Sequence, residues 1–237
     1  MKLNTQEWGT GDRVALLVHG IMSDHRTWRR VGPALAERGY RVIAVDLRGH
    51  GASPRGTGAT PAERYGPAQY ADDLVATLPT GAELAVGHSL GGLSLRWAVE
   101  RLRPQRAVFS DPAWLFDRPG IDPELFVGFA ARATAEQITA MNPRWERADV
   151  EVELATLAAW DPDSARSLAS HHGYAGLPEA PAVPSLVQLA DPSMLVGPEE
   201  AGLLRARGFE VRTVPGAGHT IHRDDFEGFM ASLDGWI

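Results

Sequence analysis

Short continuous apolar runs alternate with amphipathic stretches along most of the chain. The runs are "VALLV" (14–18), "YRVIAV" (40–45), "ELAV" (83–86), "RAVFS" (106–110), "SLVQLA" (185–190) and "EVRTV" (210–214). Apolar runs of four to six residues between polar loops are typical of buried strands. The alternation therefore predicts an α/β fold with a mostly parallel central sheet and flanking helices.

The stretches between these runs have the apolar spacing of helices that cover a sheet. In the first of them Trp28, Val31 and Leu35 fall on one helical face, and Gly39 closes the helix. The predicted helices cover residues 25–39, 65–79, 90–102, 198–208 and 223–237.

The alternation of predicted strands and helices stops after residue 112. No convincing buried strand occurs from 113 to about 182, where helical patterns are punctuated by prolines. The simplest interpretation is one α/β core interrupted by a helical insertion of about 70 residues. We therefore predict a core formed by 1–112 and 184–237, with a helical cap at 113–183.

Composition and charge narrow the possible functions. The chain has 237 residues, 44% hydrophobic and 22% charged, with a net charge of −7 and no cysteine. The negative balance argues against a nucleic-acid or anionic-membrane partner, and no apolar run approaches the roughly 18 residues of a membrane span. The N-terminus lacks the apolar core of a secretory signal, so we expect a cytoplasmic protein. The oligomeric state stays open.

The stretch "AVGHSLGG" (85–92) contains Gly-X-Ser-X-Gly, centred on Ser89, between a predicted strand and a predicted helix. A serine on such a tight turn projects its hydroxyl above the sheet, and Gly87 and Gly91 are needed where a Cβ would collide with backbone. A phosphate-binding loop would require a following Gly-Lys-Ser/Thr, which is missing. We therefore predict that Ser89 is a nucleophile.

A serine nucleophile needs a histidine base. His219 lies in the loop after the last strand, on the same rim of the sheet as Ser89, and is our candidate. We expect the other seven histidines to shape loops, open helices or pack beneath the turn: His19, His25, His50, His88, His171, His172 and His222.

Two aspartates are candidates for the acid that orients the histidine, because both follow predicted strands on that rim. Asp191 ends "SLVQLAD" and Asp111 ends "AVFSD". We favour Asp191 and keep Asp111 as the alternative. The oxyanion formed in acyl transfer requires two backbone donors, which we assign to Leu90 and Ile21, with Met22 in reserve.

Five ordered motifs resemble the α/β-hydrolase superfamily, particularly its small bacterial members with a helical cap. They are "LLVHG", "VDLRGHGAS", "VGHSLGG", "DPSMLVGPEEAGLL" and "PGAGHTIHRDDFEGF". The resemblance implies Ser89 as nucleophile, His219 as base, and Ile21 and Leu90 as oxyanion donors. It also implies that Asp46 and Arg48 only buttress the site. The short segment before "VALLV" suggests that the family's opening strand pair is trimmed to a single strand and hairpin.

The expected substrate follows from the aromatic insertion. A cap above the rim must present apolar surface, and we predict a pocket of Met22, Trp114, Phe129, Trp145 and Trp160. We therefore expect a serine hydrolase, independent of cofactor and metal, that cleaves a small apolar carboxylic ester or lactone. A biosynthetic thioesterase or acyltransferase is the nearest alternative, and a non-catalytic ligand-binding protein is a rival from another class.

Overall fold

The computed structural model describes residues 1–116 and 122–237. Its strands are β1 (Thr5–Trp8), β2 (Arg13–Val18), β3 (Tyr40–Val45), β4 (Leu84–His88), β5 (Arg106–Ser110), β6 (Ser185–Leu189) and β7 (Glu210–Thr213). In the described residues they form one sheet in the order β1-β3-β2-β4-β5-β6-β7. All neighbours are parallel except β1 and β3. The predicted α/β fold is confirmed.

The opening of the chain differs in detail from the prediction. A single strand precedes β2, as expected, but it does not form a hairpin with β2. Instead β1 pairs antiparallel with β3, with Thr5 opposite Val45 and Trp8 opposite Val42. β1 lies at the edge of the sheet, where its first three residues are exposed and Trp8 packs partly buried against the core.

The core helices are α1 (Val31–Glu37), α2 (Pro61–Arg64), α3 (Pro67–Thr77), α4 (Leu90–Leu102), α9 (Pro198–Ala206), α10 (Ile221–Asp224) and α11 (Phe226–Ala231). The helix predicted over 25–39 is instead a 3₁₀ turn (His25–Trp28) followed by α1. The helix predicted over 223–237 is instead α10 and α11. Asp225 separates them with an extended φ of −149°, and its side chain caps α11 by accepting from the Gly228 N–H.

The segment between β5 and β6 is helical where it is described. It holds α5 (Pro123–Ala130), α6 (Ala135–Met141), α7 (Arg147–Leu157) and α8 (Asp163–Arg166), and then 3₁₀ turns at Ser167–Ser170 and His172–Tyr174. Residues 117–121 of the predicted insertion lie outside the described residues. The division into a core and a separate cap domain stays a prediction.

The loop after β3 is held by buried polar contacts. Asp46 accepts from the backbone N–H groups of His25 and Ala52. Arg48 donates from Nε to Oδ2 of Asp73 at 2.5 Å, and both side chains are buried. These contacts fix the turn that lies beside the rim, as a buttress would.

Candidate active site

Ser89 occupies the turn between β4 and α4. Its φ of +52° and ψ of −116° lie where residues other than glycine are rare, at a cost of about 1–3 kcal/mol. The turn is fixed on both sides, because the Ser89 N–H donates to the Ser110 carbonyl at 3.1 Å and the Ser89 carbonyl accepts from the Leu93 N–H at 3.1 Å. The side chain of this strained serine therefore projects at the carboxyl end of the sheet.

The glycines of the motif are required by close backbone approach. A Cβ on Gly87 would lie 2.6 Å from the Gly91 carbonyl oxygen, and a Cβ on Gly91 would lie 2.2 Å from the Val18 carbonyl oxygen. Both distances are far below contact between these atoms. The helix can thus start directly above β2 and β4 only with glycine at these two positions.

His219 lies in the loop between β7 and α10, where its ring contacts an aspartate. Its Nδ1 is 2.6 Å from Oδ2 of Asp111, whose side chain is fully buried while the histidine is partly exposed. The backbone of Asp111 has a φ of +39°, and its N–H donates to the Gln188 carbonyl at 2.7 Å. A hydrogen bond from Nδ1–H to the carboxylate leaves Nε2 as the free acceptor of a neutral ring.

The structure brings Asp111 to His219, and not the favoured Asp191. The Asp191 side chain is exposed and accepts from the Gly216 N–H at 3.1 Å, while its own N–H donates to the Ala217 carbonyl. These two bonds tie Asp191 to the start of the loop that carries His219, away from the ring. The alternative, Asp111, is therefore the residue in place to orient the base.

Two further histidines lie close to His219 and are neutral. His88 and His222 are both buried, and their rings are 5.2 Å apart. Burial lowers the pKa of each well below its usual value, and the neighbouring His219 adds to the effect. His88 Nε2 lies 2.9 Å from the His219 carbonyl oxygen. Because a carbonyl only accepts, His88 donates this bond and connects the serine turn to the histidine loop.

Burial of neutral histidines makes the protein sensitive to acid. The pKa values of His19, His50, His88 and His222 are lowered by burial, that of His50 to about 3, whereas a hydrogen bond to Asp46 raises the pKa of His25. The unfolded chain binds these four protons near pH 6.5 and the folded chain does not. Each such group therefore lowers the free energy of unfolding by up to about 1.4 kcal/mol per pH unit below 6.5.

We expect the urea midpoint of unfolding to fall steeply between pH 7.5 and 5.5. The raised pKa of His25 has the opposite effect on the free energy of unfolding, but His25 is a single group and four histidines have lowered pKa values. The substitution His50→Gln should reduce the slope by about one proton, measured as the pH dependence of the free energy of unfolding. A midpoint that is constant over this range would contradict the neutral state of the buried histidines.

The loop after β2 is oriented by His19. The Nε2 of this buried ring accepts from the Leu47 N–H at 2.8 Å, so Nδ1 carries the proton and donates to the Gly20 carbonyl at 2.6 Å. In a trans peptide the N–H points opposite to the carbonyl. The Ile21 N–H therefore points away from His19. A Cβ on Gly20 would lie 3.1 Å from Cβ of Ser89, so this loop passes directly against the serine.

A cavity of about 220 Å³ opens beside Ser89 and His219. Gly20, Ile21, Met22 and Leu90 line it next to the serine. Its remaining apolar wall is formed by Leu93, Ala113, Phe116, Phe126, Leu168, Met194 and Leu195. The predicted nucleophile, base and oxyanion donors thus share one cavity with an apolar wall.

Of the five residues predicted for the pocket, only Met22 lines this cavity. Trp114 and Trp160 are buried in the packing of the protein, and the Trp114 indole donates to the Gly92 carbonyl. Phe129 packs against the cluster of Ile138, Val150 and Leu157. The indole of Trp145 donates to Asp224. Large aromatic side chains here fill space between elements.

A charged pair that the sequence did not indicate also lines the cavity. Arg223 is 3% exposed, and its Nη1 lies 2.6 Å from Oε2 of Glu153 on α7. The guanidinium lies 4.7 Å from the ring centroid of Trp145. The run His222-Arg223-Asp224-Asp225 has the composition of an exposed helix start, and only the position of α7 shows that Arg223 is enclosed.

One group of possible metal ligands occurs in the described residues. Ligand atoms of Asp24, His25 and Asp46 lie within 4.8 Å of one another. The His25 Nδ1 is 2.8 Å from Asp46, and Asp24 pairs with Arg26. The polar atoms of this group therefore already have partners in one another and in Arg26. Among the described helices, none is long and apolar enough to cross a bilayer.

Comparison with known proteins agrees with this architecture. The chain is 38% identical over 131 residues to a pimeloyl-[acyl-carrier protein] methyl ester esterase of Sodalis glossinidius, covering 53% of this chain and 48% of that protein. It is 36% identical over 114 residues to an epoxide hydrolase of Caballeronia sordidicola, covering 46% and 33%. The chain thus spans half or less of the length of these curated relatives.

Solved structures with the same fold superpose on nearly the whole chain. A hydrolase from Oleispira antarctica superposes with a TM-score of 0.76 at 18% identity, covering 99% of this chain and 94% of that one. The model of the alpha/beta hydrolase family matches residues 15–231. The protein therefore belongs to the alpha/beta hydrolase family.

Proposed function

We propose that the protein is a serine hydrolase that cleaves carboxylic esters through an acyl-enzyme. The observation that carries this proposal is the 2.6 Å contact between His219 Nδ1 and the buried Asp111 Oδ2, beside the cavity that His219 and Ser89 line together. A nucleophile, a base and an acid that orients the base are the groups that acyl transfer requires.

In the first half-reaction, the Ser89 Oγ attacks the ester carbonyl carbon. The hydroxyl proton moves to Nε2 of His219, and the buried Asp111 carboxylate stabilises the resulting imidazolium. The N–H groups of Ile21 and Leu90 hold the oxyanion of the tetrahedral intermediate. The C–O bond to the alcohol then breaks, the alcohol takes the proton from His219, and Ser89 is acylated.

In the second half-reaction, water attacks the acyl carbon and gives a proton to His219. The tetrahedral intermediate collapses, the Ser89 oxygen leaves and regains its proton from His219, and the free acid is released. Each proton that His219 accepts is returned in the same half-reaction, so the site is restored after each turnover.

The lining of the cavity supports an ester or lactone with an apolar part. Leu93, Phe116, Phe126, Leu168 and Leu195 provide a wall without charge. A cavity of about 220 Å³ suits a short or medium acyl chain. The name of the esterase relative agrees with ester chemistry.

The alternatives differ in what they require at residue 89. Epoxide hydrolase or dehalogenase chemistry on this fold needs a carboxylate at that position, where this chain has serine. A thioesterase or acyltransferase would use the same groups with another acyl donor or acceptor. A ligand-binding protein would give no covalent acyl intermediate.

The test is hydrolysis of 4-nitrophenyl esters of increasing acyl length, together with lactones and thioesters. We expect turnover of the esters, with a maximum kcat/KM at short or medium chain length, because the apolar wall is of limited extent. Preference for thioesters over matched oxygen esters would favour the thioesterase alternative. Folded protein without turnover of any acyl substrate would contradict the proposal.

A further inference from the structure

The cavity contains a buried cation whose hydrogen-bonding capacity is only partly used. The guanidinium of Arg223 has five N–H donors, and the bond from Nη1 goes to Glu153. Its Nε and Nη2 are buried and have no hydrogen-bond partner among the residues that the structure describes. A buried donor without an acceptor is costly, so these two groups require an acceptor that the described residues do not supply.

The geometry of the two free groups identifies the kind of ligand. Nε–H and the adjacent N–H of Nη2 lie on one edge of the planar guanidinium and point in parallel. This edge matches the two oxygens of a carboxylate, which accepts both bonds at once. Glu153 occupies Nη1 and leaves this edge free. A single ester carbonyl oxygen would have to share its two lone pairs between both donors and would bring no negative charge to the cation, so a carboxylate fits this edge better.

The position of Arg223 connects this edge to the reaction. Arg223 follows His219 by one short loop and lies on α10, and both residues line the cavity with Ser89. The Trp145 ring and Glu153 hold the guanidinium from the side of the insertion. The other ionisable groups around it are His219, the neutral His88 and His222, and Asp224, which binds the Trp145 indole.

We propose that the natural substrate is an ester that also carries a free carboxylate, which binds the Nε–Nη2 edge of Arg223 while Ser89 attacks the ester. This inference rests on the proposed ester hydrolysis and adds its substrate class. The apolar wall then receives the carbon chain, and the arginine sets which end of the substrate faces the serine. The carboxylate stays ionised throughout and exchanges no proton.

Matched substrate pairs test the proposal. In the acyl pair, mono-4-nitrophenyl glutarate is compared with its methyl-capped diester. In the alcohol pair, 3-acetoxybenzoate is compared with its methyl ester. In at least one pair, we expect kcat/KM of the wild type to be about 10 to 100 times higher for the substrate with the free carboxylate. A factor of this size is what a charge-assisted pair of hydrogen bonds contributes.

Substitution of the arginine should remove this preference. Because Arg223→Gln alone would leave Glu153 without its partner, the variant is Arg223→Gln combined with Glu153→Gln. We expect it to lose the preference for the carboxylate and to change kcat/KM for the capped ester much less. Arg29→Gln combined with Asp149→Asn is the matched control, since these two residues also form a partly buried ion pair but neither lines the cavity. Its preference should equal that of the wild type.

Binding provides a readout that does not depend on turnover. Isothermal titration calorimetry of the Ser89→Ala protein should detect binding of glutarate but not of its dimethyl ester. When Arg223→Gln and Glu153→Gln are added to the Ser89→Ala protein, glutarate binding should be lost. Equal kcat/KM within both substrate pairs, with active wild-type enzyme, would overturn the carboxylate proposal alone. Absence of any esterase activity would overturn the proposed function, and glutarate binding would still report on Arg223.

Discussion

Replacement of the serine hydroxyl is expected to have the largest effect of any single change in this protein. In Ser89→Ala, kcat for a 4-nitrophenyl ester should fall by about four to six orders of magnitude, because the proposed mechanism depends on attack by the Ser89 Oγ. The residual rate should come only from binding and from the N–H groups of Ile21 and Leu90.

The fold should survive this substitution. Alanine removes one buried hydroxyl and keeps the backbone bonds of Ser89 to Ser110 and Leu93. The circular dichroism spectrum and the urea midpoint should therefore match those of the wild type. A Ser89→Ala protein that is folded and retains a tenth or more of the activity would show that another residue performs the attack.

The second large effect is expected at Asp111. Asn in its place would present an amide group to His219 Nδ1 and favour the tautomer that carries its proton on Nε2. That tautomer cannot accept the serine proton, so kcat in Asp111→Asn should fall by about 10,000-fold. Because Asp111 is fully buried, a water molecule cannot take the place of the missing carboxylate.

Asp191→Asn is the matched control for this prediction. The Asp191 side chain is exposed and accepts from the Gly216 N–H, and an asparagine oxygen can accept the same bond. We expect kcat within about threefold of the wild type, as for other surface substitutions. Loss of activity in Asp191→Asn but not in Asp111→Asn would reverse the assignment of the acid.

The strands and the serine turn could be predicted because short sequence patterns identify them. A buried parallel strand needs a continuous apolar run, and the close approach of Gly91 to the Val18 carbonyl admits no other residue. The strained φ of Ser89 follows from the same turn. The contact of Gly91 with Val18 is long-range in sequence, but the glycine that it requires stands within the motif, so the pattern "VGHSLGG" between a strand and a helix indicates the turn directly.

The choice between Asp191 and Asp111 could not be made in this way. Both residues follow a strand on the same rim, and the sequence contains no difference that decides between them. In the structure, contacts between residues far apart in the sequence position the two carboxylates differently. The backbone N–H of Asp111 donates to the Gln188 carbonyl and its carboxylate contacts His219, while Asp191 bonds to Gly216 and Ala217.

The pocket was predicted least well, because aromatic size does not indicate which surface a side chain faces. Trp114 fills space against Phe109, and Trp145 packs on Arg223. Arg223 itself is contacted by Trp145 and by Glu153 of α7, which lies 70 residues earlier in the chain. Contacts of this kind depend on how the insertion packs against the core, and a short sequence pattern does not predict that packing.

Covalent labelling tests the central claim most directly. The wild-type protein is treated with a fluorophosphonate probe, and the modified residue is located by mass spectrometry of its peptides. We predict one label per chain, on Ser89, with loss of esterase activity in proportion to labelling and no label on folded Ser89→Ala. An unlabelled wild type that still hydrolyses esters, or a label on another residue, would contradict the account.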